Sequence, residues 1–531
     1  MNSASTPNPA NVKVLDKTTK MIFHYGEGFH YESLPQGTRV IYPNASHPSI
    51  SNVDAAIEDA LENPLGCDPL SAQLRPGMKV TIAFDDLSLP LPPMEQPDIR
   101  ELIITKVLEK LTAAGIDDIH IICAVALHRH ETPAELKYQL GNKIFKAFYP
   151  SSKLYNYDAE DKEGNVFLGT TEKGEEVEVS RRAVESDLVI YVNINLVSMD
   201  GGNKSYATGL STYRTIRHHH NHHTLMHCKS YMDPANSALS ASCDRQGQII
   251  QEHMNIFKIE TTLNNDTNLA LATYFTKPTW DLNWYDWGNF WLNKTLLESL
   301  PVTARRTIFQ GLRAPFRLTS IYAGRTAPVH EKILDKVFDQ LAVPVPGQAD
   351  IGIVGIPYLS PYNVNSIMNP ILAYVMTLGY SFNFYRGKPL VRKGGVLIAL
   401  YPLHEDFHPV HHPSYIEFYN RVLTQTTDPK TIQDKYEEEF AYNPKYIEAY
   451  RHGYAYHGVH PFYMWYWGCY GLDYLGKVIF VRPASKRPAE IMGFSTASSI
   501  AEALEMAQDV VGDNPSISNF HYPPHILLDV F

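Results

Sequence analysis

KVTIAF at residues 79–84, running straight into DDLSLP at 85–90, decides how this chain folds. A short apolar, β-branched run that ends in an acidic turn closed by proline reads as a buried strand. Its flanks alternate with it: residues 53–61 and 99–114 both carry the apolar spacing of an amphipathic helix. The unit then recurs, with a strand over 119–125 (IHIICAV), a helix over 133–140 opened by Pro133, a strand over 187–192 (DLVIYV) and a helix over 211–220. Strands apolar on both faces and separated by helices predict a parallel, doubly wound sheet. Residues 280–316 show no strand pattern and read as a helical connection. A second series follows, with strands over 351–356, 395–400 and 478–481 and helices over 367–377, 415–424 and 498–511.

A chain of 531 residues exceeds one core. The expectation is an α/β protein of two domains, each a mostly parallel, Rossmann-like sheet flanked by helices. Residues 1–285 would form a cofactor-anchoring domain and 286–531 a second domain closing over the site. The second domain carries an aromatic-rich insertion around 434–474, including HGYAYHGVHPFYMWYW at 452–467. Such a stretch lines a pocket, covers an oligomer surface or fills a core, and the residues alone leave all three open.

The net charge of -11 argues against nucleic acid as a partner, because phosphate backbones call for clustered Lys and Arg. Five cysteines without a CxxC pair exclude a thiolate zinc knuckle and a disulfide framework, and fit a reducing compartment. No run approaches the ~18 apolar residues of a membrane span, and the first residues lack the pattern of a signal peptide. The expectation is a cytoplasmic protein, without a membrane partner, acting on a small molecule, with a homo-oligomer left open.

Ligands of open parallel sheets sit beyond the carboxyl ends of the strands. There the sequence places Asp85 and Asp86, then His128 in ALHRHET, then Asp200-Gly201-Gly202-Asn203-Lys204. A carboxylate, an imidazole and a glycine-rich lysine loop thus share one sheet edge. Ordinary roles exist for each: a cap or turn for the carboxylates, a hydrogen-bonded histidine, and a glycine pair that only supplies positive φ. GGNK lacks the spacing of a phosphate-binding Walker loop, and no GxGxxG follows the first strand, which sets aside ATP and nicotinamide dinucleotides. The run RHHHNHHTLMH at 217–227 invites a metal, but consecutive residues face different ways, so at most one or two can reach a site.

MDGGNKSYATGLSTYRTIRHHHN, at 199–221, resembles the lactate racemase-like family. HYGEGFHYESLP, FDDLSLP, ALHRHETPAEL and SSIAEALEMAQDVVG agree, so the likeness spans most of the chain and weakens after about residue 290. The resemblance implies a nickel-pincer nucleotide, pyridinium-3,5-bisthiocarboxylic acid mononucleotide nickel, bonded covalently to Lys204. His220 would ligate the metal, and Asp86, Ser88, Gly201 and Gly202 would help hold the cofactor. It implies reversible hydride transfer from a 2-hydroxy acid or related secondary alcohol, with His128 as the first of two acid–base histidines and Asp86 as the catalytic-site acidic residue of the turn. It also implies dependence on separate enzymes that make the cofactor.

Four departures stand against that pattern. Leu89 takes the place of the arginine of the acidic turn. NINLVSMDGGNK, at 193–204, lacks the family's second acid–base histidine. Met368 and Ile371 stand, on a loose alignment, where the family has Gln and Lys. The aromatic insertion has no counterpart. Loss of Arg and Lys removes charge-assisted hydrogen bonds of ~1.5–3 kcal/mol each from a carboxylate site, so the expected substrate is not lactate but a larger or less acidic secondary alcohol, sugar-derived or aromatic. Candidates for the opposite face are Tyr157, His130, Tyr206 and His219. The alternative is a non-catalytic protein that binds nickel or the pincer cofactor.

Overall fold

The computed structural model describes residues 11–268 and 270–531. It is an α/β structure built on two mostly parallel mixed sheets flanked by helices. The first sheet has six strands in the order Leu318–Gly324, Ile256–Leu263, Leu188–Asn195, Lys79–Phe84, Asp118–Cys123 and Leu154–Asn156. All pairs are parallel except the one made by Leu318–Gly324. The second has seven, in the order Val12–Val14, Arg39–Ile41, Ile517–Phe520, Ala349–Gly355, Val391–Leu400, Lys477–Val481 and Ser495–Ala497, parallel except for the first pair.

The two sheets do not divide at residue 285. Strands 12–14 and 39–41 belong to the second sheet, strand 318–324 closes the first, and position 285 falls inside the helix Trp284–Ser299. Each sheet therefore depends on chain from the other half, which ties them together.

Local chemistry explains most elements. The helix Pro133–Phe148 opens on a capping box in which Thr132 and Glu135 satisfy each other's backbone donors. Ile500–Val511 is capped by Ser499. The single helix expected over 211–220 is absent. Within that span only Tyr213–Ile216 is helical; Lys204–Gly209 precedes it, and Asn221 then caps a new helix, His222–Met226, by accepting from the Thr224 N–H. The strand Ile256–Leu263 was not expected, because Lys258 and Glu260 interrupt its apolar run; both are fully buried, their charged ends 3.6 Å apart.

From Ala455 to Cys469 the aromatic segment is core. Every residue of the helix His460–Trp467 is buried. Trp465 stacks on Tyr374 and Trp467 on Tyr231, each pair at 4.2 Å between ring centres, and the two tyrosine hydroxyls donate to the carbonyls of the same tryptophans. Stacked pairs of this kind contribute about 0.5–1.5 kcal/mol each beyond their burial. No helix among the described residues is long and apolar enough to cross a membrane.

Candidate active site

The two aspartates of the first turn separate at once. Asp85 points back into the sheet, accepting from the Asn193 amide and from the Ile194 N–H at 2.7 Å, and burial pushes its carboxyl up to about 7. It fastens neighbouring strands. Asp86 points into the cleft. One oxygen accepts from the Ser88 N–H at 2.9 Å and from its hydroxyl; the other lies 2.6 Å from His128 Nδ1. Burial would raise the Asp86 carboxyl, but the His128 imidazole and the Ser88 donors outweigh it and hold it below the ordinary aspartate value. Arg100, paired with Asp98 at 2.7 Å, donates to the carbonyls of both aspartates and fixes the turn.

An ionised carboxylate only accepts, so His128 carries its proton on Nδ1 and offers the Nε2 lone pair to the cleft. The histidine sits on a sharp turn that includes Ala126 at φ +52°. The aromatic segment holds this turn: the Tyr450 hydroxyl donates to the Ala126 carbonyl and the His457 N–H to the Leu127 carbonyl.

Lys204 is the first residue of its helix and half-buried. The loop before it is rigid. Asp200 accepts from the Leu196 and Val197 N–H groups, and the Gly202 N–H donates to Glu260 at 2.7 Å. Gly201 and Gly202 have φ of +80° and +58°, and a Cβ on Gly201 would lie 2.1 Å from the Asn195 side-chain oxygen. The glycine pair thus serves the turn, and the Gly202 N–H is already used within the protein.

His220 stacks on Trp467 at 5.1 Å and meets Tyr463 at 5.4 Å, and its buried Nδ1 has no hydrogen-bond partner. Burial, reinforced by His219, Lys204 and His128, holds its pKa well below the ordinary value, so the ring is neutral, as a metal ligand must be. The rest of the histidine run points elsewhere: His218 towards Glu176, and His227 onto the His223 carbonyl. Among the described residues no three His, Cys, Asp or Glu side chains converge on one point.

A cavity of about 30 Å³ joins His128 to His220 and is lined also by Thr208, Tyr362, His460 and Tyr463. His460 was missed by sequence reading. Its ring centre lies 5.3 Å from that of His128 and 4.9 Å from that of Tyr362. Its Nδ1 meets the Tyr415 hydroxyl at 2.6 Å, while its buried Nε2 has no partner. The available signal was a histidine heading an aromatic helix, with Pro461 next to it at the first turn. None of the four opposite-face candidates lines this cavity. Tyr157 bonds Asn165, Tyr206 bonds Asn203, and His130 packs on Tyr450 beside a different pocket. His219 lies behind His220, held by Thr208 at 3.2 Å. Met368 and Ile371 are wholly buried in the core.

Residues 25–233 match the model of the lactate racemase N-terminal domain. Two lactate racemases are similar to this chain in sequence: that of Lactiplantibacillus plantarum, 26% identical over 169 residues, and that of Thermoanaerobacterium thermosaccharolyticum, 24% identical over 168 residues. Each alignment spans 31% of this chain and only 37% of the relative. In structure, the lactate racemase apoprotein of T. thermosaccharolyticum superposes with a TM-score of 0.62 at 17% identity, covering 96% of this chain and all of that one. A protein from Thermotoga maritima does so with 0.51 at 13% identity, covering 92% of this chain and all of that one. At these identities the superpositions establish the fold. The N-terminal family domain contains Asp86, Ser88, His128, Lys204 and His220; His460 lies outside it.

Proposed function

We propose that this protein is a racemase or epimerase that interconverts the configurations of a 2-hydroxy acid or related secondary alcohol other than lactate, using a nickel-pincer nucleotide tethered to Lys204. One observation carries the reading: His128, paired through Nδ1 with Asp86, and His220 line the same cavity. Lys204 stands close enough for its charge to lower the pKa of His220.

The residues fit such a group. His220 offers a buried nitrogen without a partner, and Lys204 offers an amine at the head of a helix. A single protein nitrogen is a sparse donor set for a metal, which suits an ion that brings its remaining ligands on its own cofactor. When bound, the nucleotide supplies a pyridinium carbon that exchanges hydride with the substrate carbon. The chain's own work is proton handling and orientation. His128 Nε2 takes the hydroxyl proton, and Asp86 stabilises the imidazolium that results. His460 stands as the second imidazole at the cavity, positioned by Tyr415, in place of the histidine that residues 193–204 lack. Tyr362 and Tyr463 complete the wall and limit water.

A second reading is a protein that carries the cofactor without turnover. The histidine that residues 193–204 lack and Leu89 in place of the arginine favour it. Both readings are tested by producing the chain with the enzymes that make the cofactor, then measuring intact mass and nickel. The expected result is an added nucleotide mass on the peptide containing Lys204 and one nickel per chain, both lost in Lys204→Ala. An unmodified Lys204 under those conditions removes both. Turnover of a secondary alcohol by the loaded protein then separates enzyme from carrier.

A further inference from the structure

A second cavity, of about 290 Å³, lies on the far side of Val364, a residue that also lines the cleft at Asp86, Ser88 and His128. Its wall is mostly apolar and draws on many parts of the chain. Phe29 belongs to the N-terminal hairpin, Phe275 precedes the helix Trp284–Ser299, Leu296 lies on that helix, and Phe309 on the next. Polar residues at its edge are committed elsewhere. Asn293 donates to the Leu271 carbonyl, Asn365 to Glu135, and Arg313 to the carbonyls of Gln310 and Leu312.

His24 is the exception. It is 6% exposed, stacks on Phe275 at 3.8 Å and lines the cavity. Neither of its ring nitrogens has a partner of hydrogen-bond geometry, although the Pro523 carbonyl approaches the ring. A buried imidazole with both nitrogens unused costs stability unless something fills the space beside it. Burial also holds this ring well below the ordinary histidine pKa, so it is neutral and offers one donor and one acceptor. Beside His24 the wall is Phe29, Phe275 and Pro523, which favour an uncharged ligand end. The mouth is apolar as well, with Leu271, Leu296 and Ile308 58%, 51% and 40% exposed.

An apolar cavity of about 150 Å³ takes benzene, so this one matches an aryl-alkyl group or a chain of about eight carbons. We infer that the chamber holds the apolar body of the substrate, a secondary alcohol with a long alkyl or aryl-alkyl group, and that His24 meets an uncharged hydroxyl or carbonyl at its far end. The identity as substrate rests on the reaction proposed above; binding in the chamber does not.

The test uses the full chain without cofactor, titrated calorimetrically with lactate, 2-hydroxyhexanoate, 2-hydroxyoctanoate and 2,8-dihydroxyoctanoate. Each two added methylenes are expected to tighten binding about tenfold. Ile308→Trp, which fills the mouth, is expected to abolish the gain. His24→Phe is expected to keep it while erasing the preference for the terminal hydroxyl. Affinity independent of chain length, or a gain that survives Ile308→Trp, overturns the chamber, as does a dimer whose contact covers the mouth, seen by light scattering. Chain-length-dependent binding with Lys204 unmodified after co-production leaves the chamber standing and removes the reaction. A loaded protein that turns over lactate as fast as the octanoate overturns the substrate class alone.

Discussion

Two regions meet at the small cavity, and they differ in how they are built. The first is the carboxyl edge of the six-stranded sheet, where Asp86, His128 and Lys204 follow successive strands on short turns held by backbone hydrogen bonds. The second is the aromatic wall of residues 450–467, where His460 and Trp467 are held by packing against other rings. The first region positions groups by hydrogen bonds whose geometry is nearly fixed, and the second by volume. The family domain covers the first region and stops at residue 233. In our reading, the edge carries the cofactor and the wall shapes what reacts with it.

The largest effect that sharpens this division comes from the edge. His128→Ala is expected to lower turnover of the loaded protein ~10²–10⁴-fold, the usual contribution of a positioned acid–base group, with nucleotide mass and nickel unchanged. Loss of the adduct in this variant would mean that the edge does not separate proton handling from anchoring. Next comes Trp467→Ala, which removes a 2% exposed ring that supports both Tyr231 and His220. The expected cost is about 3–5 kcal/mol in denaturant unfolding, with faster loss of nickel to a chelator. Lowered stability with normal nickel retention would make the wall a core element only. His460→Gln is expected to cost ~10²-fold in turnover, near the lower end of the acid–base range, while leaving the adduct and the melting temperature unchanged. In single turnovers of the loaded protein it should slow the reaction of one enantiomer far more than that of the other, with His128→Ala doing the converse. Equal slowing of both would assign His460 to the wall's packing.

The same division explains what could be read in advance. The strands at 79–84 and 118–123, the helix at 99–113 and the strand-end residues follow local rules of period, turn chemistry and capping, which a sequence displays. The strand Ile256–Leu263 was hidden because its two charges neutralise each other inside the sheet, a tertiary event with no local mark. The helix expected over 211–220 failed because Asn221 restarts the chain, a cap that outweighs histidine-rich periodicity. The crossing of strands 12–14 and 39–41 into the second sheet is likewise a long-range pairing. His460 was illegible for a third reason. Its importance comes from a 5.3 Å approach to a residue 332 positions earlier in the chain, and among so many aromatics nothing marked it as different.

The smallest predicted effect tests whether the edge is held electrostatically, by way of pH. Asp86 keeps its carboxyl below the ordinary value because His128 and Ser88 favour its ionised form. A carboxylate depressed in the folded state adds stability that is present above its unfolded value, near pH 4, and is lost as pH falls through the folded value. Acid unfolding of the wild type should therefore show a component between about pH 4 and the folded Asp86 value. Asp86→Asn should flatten that component. An acid profile identical in the two proteins would mean that the 2.6 Å contact between Asp86 and His128 is set by the backbone turn and the Arg100 clamp. The edge would then be positioned by shape, as the wall is.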